Sequence, residues 1–185
     1  AAALLPLVPS VAVAAIAPGD LLWADPVSSS EGDDVAWAVS TNAAGQPIVV
    51  GTVFTMGGGR DIQYRSYDLN GGLRWSAVPT IWDGSGGEEG WTSAVVVDRK
   101  RNCASVAGTT ESADDDLVIL KLLDVGAVGG GPASGQLVWE RTFDAAPGGD
   151  EQARAIARDS HGNVYVTGRS QRGDASWDLH LVKYD

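Results

Sequence analysis

Acidic side chains are the most concentrated functional groups in this sequence. They occur in four clusters, all in predicted loops: Glu31-Gly32-Asp33-Asp34, Glu88-Glu89, Asp114-Asp115-Asp116 and Gly149-Asp150-Glu151. Carboxylate oxygens in glycine-rich loops are ligands that Ca²⁺ accepts, and this ion takes roughly six to eight of them. No cluster has the alternating Asp spacing of a known calcium loop. We therefore predict solvated loop acids and no metal site, with calcium as the alternative.

Two histidines and one cysteine are the other candidate groups. His161 lies in a predicted turn and His180 in a predicted strand, with no third ligand patterned around them, so we predict structural or solvated roles. Cys103 is the only cysteine and cannot form an intrachain disulfide. We predict a small buried strand residue, with a reactive thiol as the alternative.

Motifs of the common enzyme classes do not occur. The chain has no G-x-S-x-G nucleophile motif, no paired histidines for zinc and no phosphate-binding loop that ends in Gly-Lys-Ser/Thr. The sequence therefore predicts no catalytic residue, no metal ligand, and no bound cofactor. The net charge of −11 and the pI near 4.4 oppose binding to nucleic acid or to an anionic membrane, because such binders present a basic surface.

The elements that must position these groups repeat about three times. The clearest copy is Asp159–Asp185, where a turn leads into the alternating strand Val164–Thr167, a stop at Gly168, a polar loop and a second strand from Asp178. Gly51, Gly108 and Gly168 recur at intervals of 57 (108 − 51) and 60 (168 − 108) residues. We expect them at equivalent positions, each at the end of a second strand. A hairpin alone cannot bury its apolar face, and repetition solves that problem.

Each unit contains up to four predicted strands. Alanine-rich first strands precede the recurring glycines, at Val35–Val39, Ser93–Val97 and Ala153–Ala157. Third strands follow at Asp61–Asp68, Asp116–Asp124 and Asp178–Asp185, and fourth strands at Gly72–Ser76 and Gly135–Glu140. The apolar run of Asp116–Asp124 fits a short helix equally well when taken alone, but its neighbours favour a strand. Four short strands per unit predict one blade of a β-propeller.

One tryptophan recurs in each unit, at Trp23, Trp75 and Trp139. We predict that these rings pack between neighbouring blades, with an aromatic binding face as the alternative. Small alanines on the first strands fit the crowded positions nearest the central channel.

The repeat resembles the bacterial SBBP β-propeller family. The family pattern of D-x-x-G-N-V-Y-V-T-G, then D-x-x-x-x-K-Y/L-D and G-x-L-x-W, is matched best by DSHGNVYVTG and DLHLVKYD within Asp159–Asp185. The first two copies depart from it, because Asn42–Pro47 replaces the turn and Asp98–Asn102 lacks its glycine. The resemblance implies an all-β propeller of about three four-stranded antiparallel blades and indicates no activity.

The predicted boundaries are as follows. Residues 1–18 form an apolar segment like a secretory signal, with a buried strand as the alternative, and 19–185 form the repeats. An unpaired strand covers 19–24, and the blades span about 33–78, 90–143 and 150–185. Propellers close with about four to eight blades, so we expect a longer chain to supply the remaining blades. A six-bladed ring of two chains is the alternative.

These features favour a secreted, periplasmic or cell-surface propeller that acts as a non-catalytic binding or structural scaffold. Its ligand would be an unknown protein or carbohydrate bound by loops at one rim, because loops on rigid scaffolds usually supply binding surfaces. The rival interpretation is part of a quinoprotein-like propeller enzyme. It rests on Asp68–Trp75 and Ser134–Trp139, which resemble the Gly-x-x-x-Trp blade ending of that superfamily.

Overall fold

A computed structural model describes residues 20–26, 32–54, 59–75, 81–82, 89–111, 115–124, 135–145 and 148–185. Every helix or strand element in these ranges is a strand. The strands are β1 Val35–Thr41, β2 Pro47–Phe54, β3 Arg60–Ser66, β4 Ile81–Trp82, β5 Glu89–Asp98, β6 Cys103–Glu111, β7 Leu117–Leu123, β8 Leu137–Phe143, β9 Glu151–Arg158, β10 Val164–Gln171 and β11 Trp177–Tyr184. The signal-like segment 1–18 lies outside the described residues. No part of the described chain forms an apolar helix of the length needed to cross a bilayer.

The strands form three antiparallel sheets in which neighbours in sequence are neighbours in space. The first sheet has the order β1-β2-β3-β4, the second β5-β6-β7-β8 and the third β11-β10-β9. We call these sheets blades 1, 2 and 3. The first strands, β1, β5 and β9, contact one another in turn and are the inner strands. The chain is therefore all-β, with the blade arrangement of a β-propeller.

The position of blade 2 between the other two blades explains the continuous apolar run of β7. Val118, Leu120 and Leu122 pack toward blade 1, in one core with Ile48 and Trp75. Leu117 and Ile119 pack toward blade 3, in a second core with residues of β9 and β10. Successive side chains of a strand point to opposite faces, so a strand covered on both faces is apolar at almost every position. The strand predicted for this run is confirmed.

Two predicted strands are wrong. Described residues 20–24 of the unpaired strand adopt no regular structure, and the segment predicted as the fourth strand of blade 1 makes only the isolated bridge Tyr67–Leu73. Blade 1 uses β4 instead, where Trp82 pairs with Ile62. Asp68 accepts hydrogen bonds from the N–H groups of Asn70 (2.8 Å) and Gly72 (2.9 Å), in the turn that brings Leu73 beside Tyr67. Strand β4 pairs farther along the same edge of β3. In blade 2, the predicted fourth strand is present as β8.

The recurring tryptophans pack as predicted. Trp75 is buried against Gly135 of the turn that precedes β8. The Trp139 ring lies 6.2 Å from that of Tyr184 in blade 3, and Trp23 lies 5.5 Å from Tyr67 in blade 1. Each ring therefore extends from one unit onto the next, which makes the Gly-x-x-x-Trp sequence a turn followed by a packing residue.

The recurring glycines face a β-bulge in each inner strand. The pairing register shifts at Trp37 in β1, Ser93 in β5 and Arg154 in β9, so each of these residues is the extra one in its strand. A Cβ on the facing glycine would lie 2.4 Å from Val35 O at Gly51, 2.5 Å from Trp91 O at Gly108 and 1.9 Å from Gln152 O at Gly168. The predicted equivalence of the three glycines is confirmed. Their predicted position at strand ends is wrong, because each strand continues for three residues after its glycine.

The opposite end of the blades is joined by ion pairs. Arg158 of blade 3 lies 3.0 Å from Asp98 of blade 2, and Arg74 of blade 1 lies 2.9 Å from Asp124 of blade 2. Burial alone would raise the pKa of Asp98, but the N–H groups of Arg101 and Lys100 and the guanidinium groups of Arg101 and Arg158 outweigh it. The pKa of Asp98 is therefore held below its ordinary value.

We predict that Gly168→Ala lowers the free energy of unfolding by about 1–3 kcal/mol, because the new methyl group collides with the Gln152 carbonyl. Gly173→Ala is the matched control, since no atom lies within 4 Å of its Cβ position. Urea unfolding monitored by tryptophan fluorescence measures both variants. Equal stability of the two would contradict the steric requirement.

We also predict that Asp98→Asn destabilises the protein by about 1 kcal/mol near neutral pH. The asparagine can still accept the N–H group two residues on, because Asn42 Oδ1 does so in the equivalent turn of blade 1 as Asp98 Oδ1 does here. A carboxyl group whose pKa is lowered by folding contributes stability above its unfolded pKa of about 3.9, and loses it as the pH falls through the folded pKa. The difference between variant and wild type should therefore shrink below about pH 4. A difference that is constant over this range would contradict the ionic contribution of Asp98.

Candidate functional site

The three bulges meet at one end of the inner strands and line a cavity of about 660 Å³, which we call the rim cavity. Its lining comes from all three blades and comprises Asp33, Val35, Trp37, Thr52, Phe54, Arg60, Trp91, Thr92, Ser93, Gln152, Arg154 and Arg169. A bulge turns a side chain away from the regular alternation of its strand. The extra residues Trp37, Ser93 and Arg154 are therefore the ones that the bulges present to this cavity.

Hydrogen bonds between blades hold the walls of the rim cavity. Thr92 donates from its N–H to Thr52 Oγ1 (3.3 Å) and from its hydroxyl to Gly51 O (2.9 Å). The next interface repeats the first contact, because Ala153 N–H donates to Thr109 Oγ1 (3.2 Å). Ser93 Oγ adds a bond to Ala153 O (2.8 Å). The spacing of the three bulges is therefore fixed by main-chain contacts and by threonines that directly follow the recurring glycines.

Two tryptophans give the rim cavity an apolar surface. Trp37 is 57% exposed, although its Nε1 donates to Thr52 Oγ1 (3.1 Å), which fixes the orientation of the indole. Trp91 also lines the cavity and is half-buried. An exposed aromatic ring in a fixed orientation at a concave site is typical of ligand binding, since it offers contact area at low cost in conformational entropy.

Two arginines at the cavity converge on a single neutral acceptor. Gln152 Oε1 accepts a bond from Arg154 (3.0 Å) and two from Arg169 (3.0 and 2.7 Å). Within the described ranges neither guanidinium forms an ion pair, whereas Arg60 pairs with Glu111 at 3.4 Å. The Arg169 guanidinium also lies 3.9 Å from the Trp177 ring centroid. The rim cavity is therefore locally cationic in a chain whose net charge is −11.

The acidic clusters do not line this cavity, apart from Asp33. The structure instead brings together Asp116, Asp144 and Glu151 at the interface between blades 2 and 3. Glu151 is fully buried, so the prediction of a solvated loop acid is wrong for this residue. Asp144 belongs to no cluster in the sequence and was missed, because only the blade arrangement places the end of β8 beside the start of β9.

The histidines lie in the elements that the sequence predicts, His161 in a turn and His180 in a strand. His161 is exposed in its turn, and its N–H donates to Asp159 Oδ1 (2.9 Å). His180 is half-buried, with its Nδ1 2.6 Å from Ser170 Oγ and its ring 5.5 Å from that of Phe143. Burial lowers the pKa of His180, which favours the neutral imidazole.

Cys103 begins β6 and is half-buried and free, so its side chain is less buried than predicted. Burial raises the pKa of its thiol, although Lys121 and Arg101 oppose the rise. A raised pKa disfavours the thiolate at neutral pH, which argues against the reactive alternative.

The sequence predicts Trp37 and Arg154 only as members of alanine-rich strands and does not single out the residues of the rim cavity. A signal was present, because each is the one large residue between two alanines, in Ala36-Trp37-Ala38 and Ala153-Arg154-Ala155. A large side chain between residues that must be small indicates a position that leaves the packed surface.

A family model matches part of this chain. Residues 145–173, which contain β9 and β10, match the family model of the SBBP beta-propeller repeat. A comparison with curated proteins finds no match. Among solved structures, the chain is similar to the endo-arabinase from Bacteroides thetaiotaomicron, with a TM-score of 0.45 and 12% identity over 78% of this chain and 54% of that one. The chain therefore spans about half the length of that structure.

The family match falls on the repeat that carries the clearest sequence pattern, and the three sheets have the strand order expected of blades. The resemblance found in the sequence is confirmed there: this chain contains an SBBP β-propeller repeat at residues 145–173.

Proposed function

We propose that this propeller module is a non-catalytic binding module, and that the rim cavity holds a saccharide bearing a carboxylate group. The observation that carries the proposal is the convergence of Arg154 and Arg169 on Gln152 Oε1. Two like charges at one neutral acceptor repel each other, and a bound anion would relieve that repulsion. Guanidinium groups suit a carboxylate because they donate two parallel hydrogen bonds to it.

The rest of the cavity supports a saccharide as the carrier of that carboxylate. Trp37 and Trp91 supply apolar faces for a ring, while Thr52, Ser93 and Gln152 supply polar groups. Small-molecule sites commonly combine aromatic walls with a few convergent polar groups. The net charge of −11 disfavours long polyanions at a distance, so a short or terminal acidic saccharide suits the protein better than a highly charged polymer.

The same proposal includes the location and the context of the module. We propose that it acts outside the cytoplasm, supported by the apolar and uncharged character of segment 1–18. We also propose that further blades cover its outer faces. Val39 on β1 is 63% exposed and Leu179 on β11 is 83% exposed, and both would be buried by a neighbouring blade.

A matched pair of ligands tests the proposed function. We expect a galacturonic acid oligosaccharide to bind in isothermal titration calorimetry and its methyl ester, which lacks the charge, to bind at least tenfold more weakly. Arg154→Met should remove this preference, because the methionine keeps an apolar stem without the guanidinium. Trp37→Ala should weaken both ligands, since it removes the aromatic contact.

Arg172→Met serves as the control, because Arg172 lies in the same blade outside the cavity and pairs with Asp178. It should bind both ligands as the wild type does. Equal affinity for the acid and the ester, absence of binding by the acid, or an unchanged preference in Arg154→Met would contradict the proposal.

A further inference from the structure

The carboxyl group of Glu151 is the least explained polar group at the interface between blades 2 and 3. Its side chain is fully buried at the start of β9, and neither carboxylate oxygen has a hydrogen-bond partner of normal geometry. The Ala145 N–H and the Ser170 hydroxyl lie near it and only partly offset the rise in pKa that burial causes. A buried carboxylate without well-formed hydrogen bonds is strongly unfavourable. Either a proton or a bound cation must therefore neutralise it.

Two further carboxyl groups converge on the same point from the neighbouring blade. One oxygen each of Asp116, Asp144 and Glu151 lie within 4.8 Å of one another. Two oxygens bound to one Ca²⁺ are at most roughly 5 Å apart, because each bond is about 2.3–2.6 Å long. The three groups are thus close enough to share one calcium ion. Their mutual repulsion adds to the burial of Glu151 in raising the pKa of that residue.

The main chain holds this arrangement in place. Glu151 N–H donates to Asp115 O (2.5 Å), and Asp116 N–H donates to Thr110 Oγ1 (2.8 Å). The two acids are therefore positioned by strands β6, β7 and β9, while the exposed Asp144 follows β8. A site built from strand ends requires little reorganisation when an ion binds, and the exposed side of Asp144 leaves room for water ligands.

We propose that Asp116, Asp144 and Glu151 bind one Ca²⁺ between blades 2 and 3. The three carboxylates offer up to six oxygens, which meets the preference of calcium for many hard oxygen ligands, with water completing the shell. This site differs from the rim cavity, which none of its three ligands lines. The proposal stands independently of the saccharide ligand. It also replaces the sequence-based prediction of no metal site at this one position.

Equivalent positions in the other blades lack the same set of acids. Gly90 is the counterpart of Glu151 in the inner strand of blade 2. It directly precedes Trp91, as Glu151 directly precedes Gln152, and these two residues have equivalent pairing. Asp178 of blade 3 is the counterpart of Asp116, and it pairs with Arg172 at the surface. Asp178→Asn is therefore a matched control for variants of the site.

Calcium titration of the chelator-treated and desalted protein tests the proposal. By isothermal titration calorimetry, the wild type should bind one Ca²⁺ per chain, and its melting temperature should rise with millimolar CaCl₂. Glu151→Gln should bind Ca²⁺ at least tenfold more weakly, and its melting temperature in EDTA should be no lower than that of the wild type. Asp178→Asn should bind like the wild type.

Asp144→Asn provides a second variant, because an exposed residue can be replaced without affecting folding. It should also weaken Ca²⁺ binding at least tenfold, which decides the matter if Glu151→Gln fails to fold. The proposal is overturned if the wild type neither binds Ca²⁺ nor melts at a higher temperature in its presence. It is equally overturned if Asp144→Asn and Asp178→Asn bind Ca²⁺ alike. The first of these results would leave a proton as the group that neutralises Glu151.

Discussion

In each blade, a main-chain carbonyl of the inner strand lies where the Cβ of the facing residue would be. This close approach permits only glycine at residues 51, 108 and 168. It also requires the bulge, since the extra residue in the inner strand moves the carbonyl into that place. The rest of the rim follows from this constraint. The threonines after two of the glycines are carried to the blade interfaces, where they accept hydrogen bonds from the next inner strand.

The same constraint distinguishes the atoms that form each bulge from the side chain that the bulge presents to the rim cavity. Each bulge is a shift in main-chain pairing opposite a glycine, and the extra residue is tryptophan in blade 1, serine in blade 2 and arginine in blade 3. Two of these side chains also bond to neighbouring strands, because Trp37 Nε1 donates to Thr52 Oγ1 and Ser93 Oγ donates to Ala153 O. Under the proposed function, changing one residue per blade would change the ligand while the glycine and the main-chain pairing stay the same. Rigid strands that carry variable side chains at one rim are a general means by which a single fold serves many functions.

Much of the architecture could be predicted because it is local and periodic. The alternation in β10, the Asp and Asn turns and the constant glycine interval all act within a few residues of sequence. The fourth strand of blade 1 could not be predicted in this way. Leu73 and Trp75 have a strand-like pattern, but Leu73 makes only a single bridge to Tyr67, and the strand that pairs with the start of β3 is β4. Which residues pair with the edge of β3 is decided by tertiary packing, which a single sequence does not reveal.

The sites were less predictable than the fold, and for different reasons. The acids at 116, 144 and 151 come from three separate segments, and only the stacking of blade 3 on blade 2 makes them neighbours. Arg154 and Arg169 are fifteen residues apart and meet because β9 and β10 are paired, so a hairpin alignment could have found them. Exposure of Trp37 depends on the register shift at the bulge. No propensity scale contains that information.

A crystal structure of the Trp37→Ala, Arg154→Ala double variant tests most directly whether the bulges form without the side chains that they present. We predict that the register shifts at residues 37, 93 and 154 persist. We also predict that Thr92 Oγ1 remains hydrogen-bonded to Gly51 O, with the cavity emptied of the two large side chains. Loss of a bulge, or a return of either strand to regular pairing, would contradict the claim that the bulges do not depend on the side chains of Trp37 and Arg154.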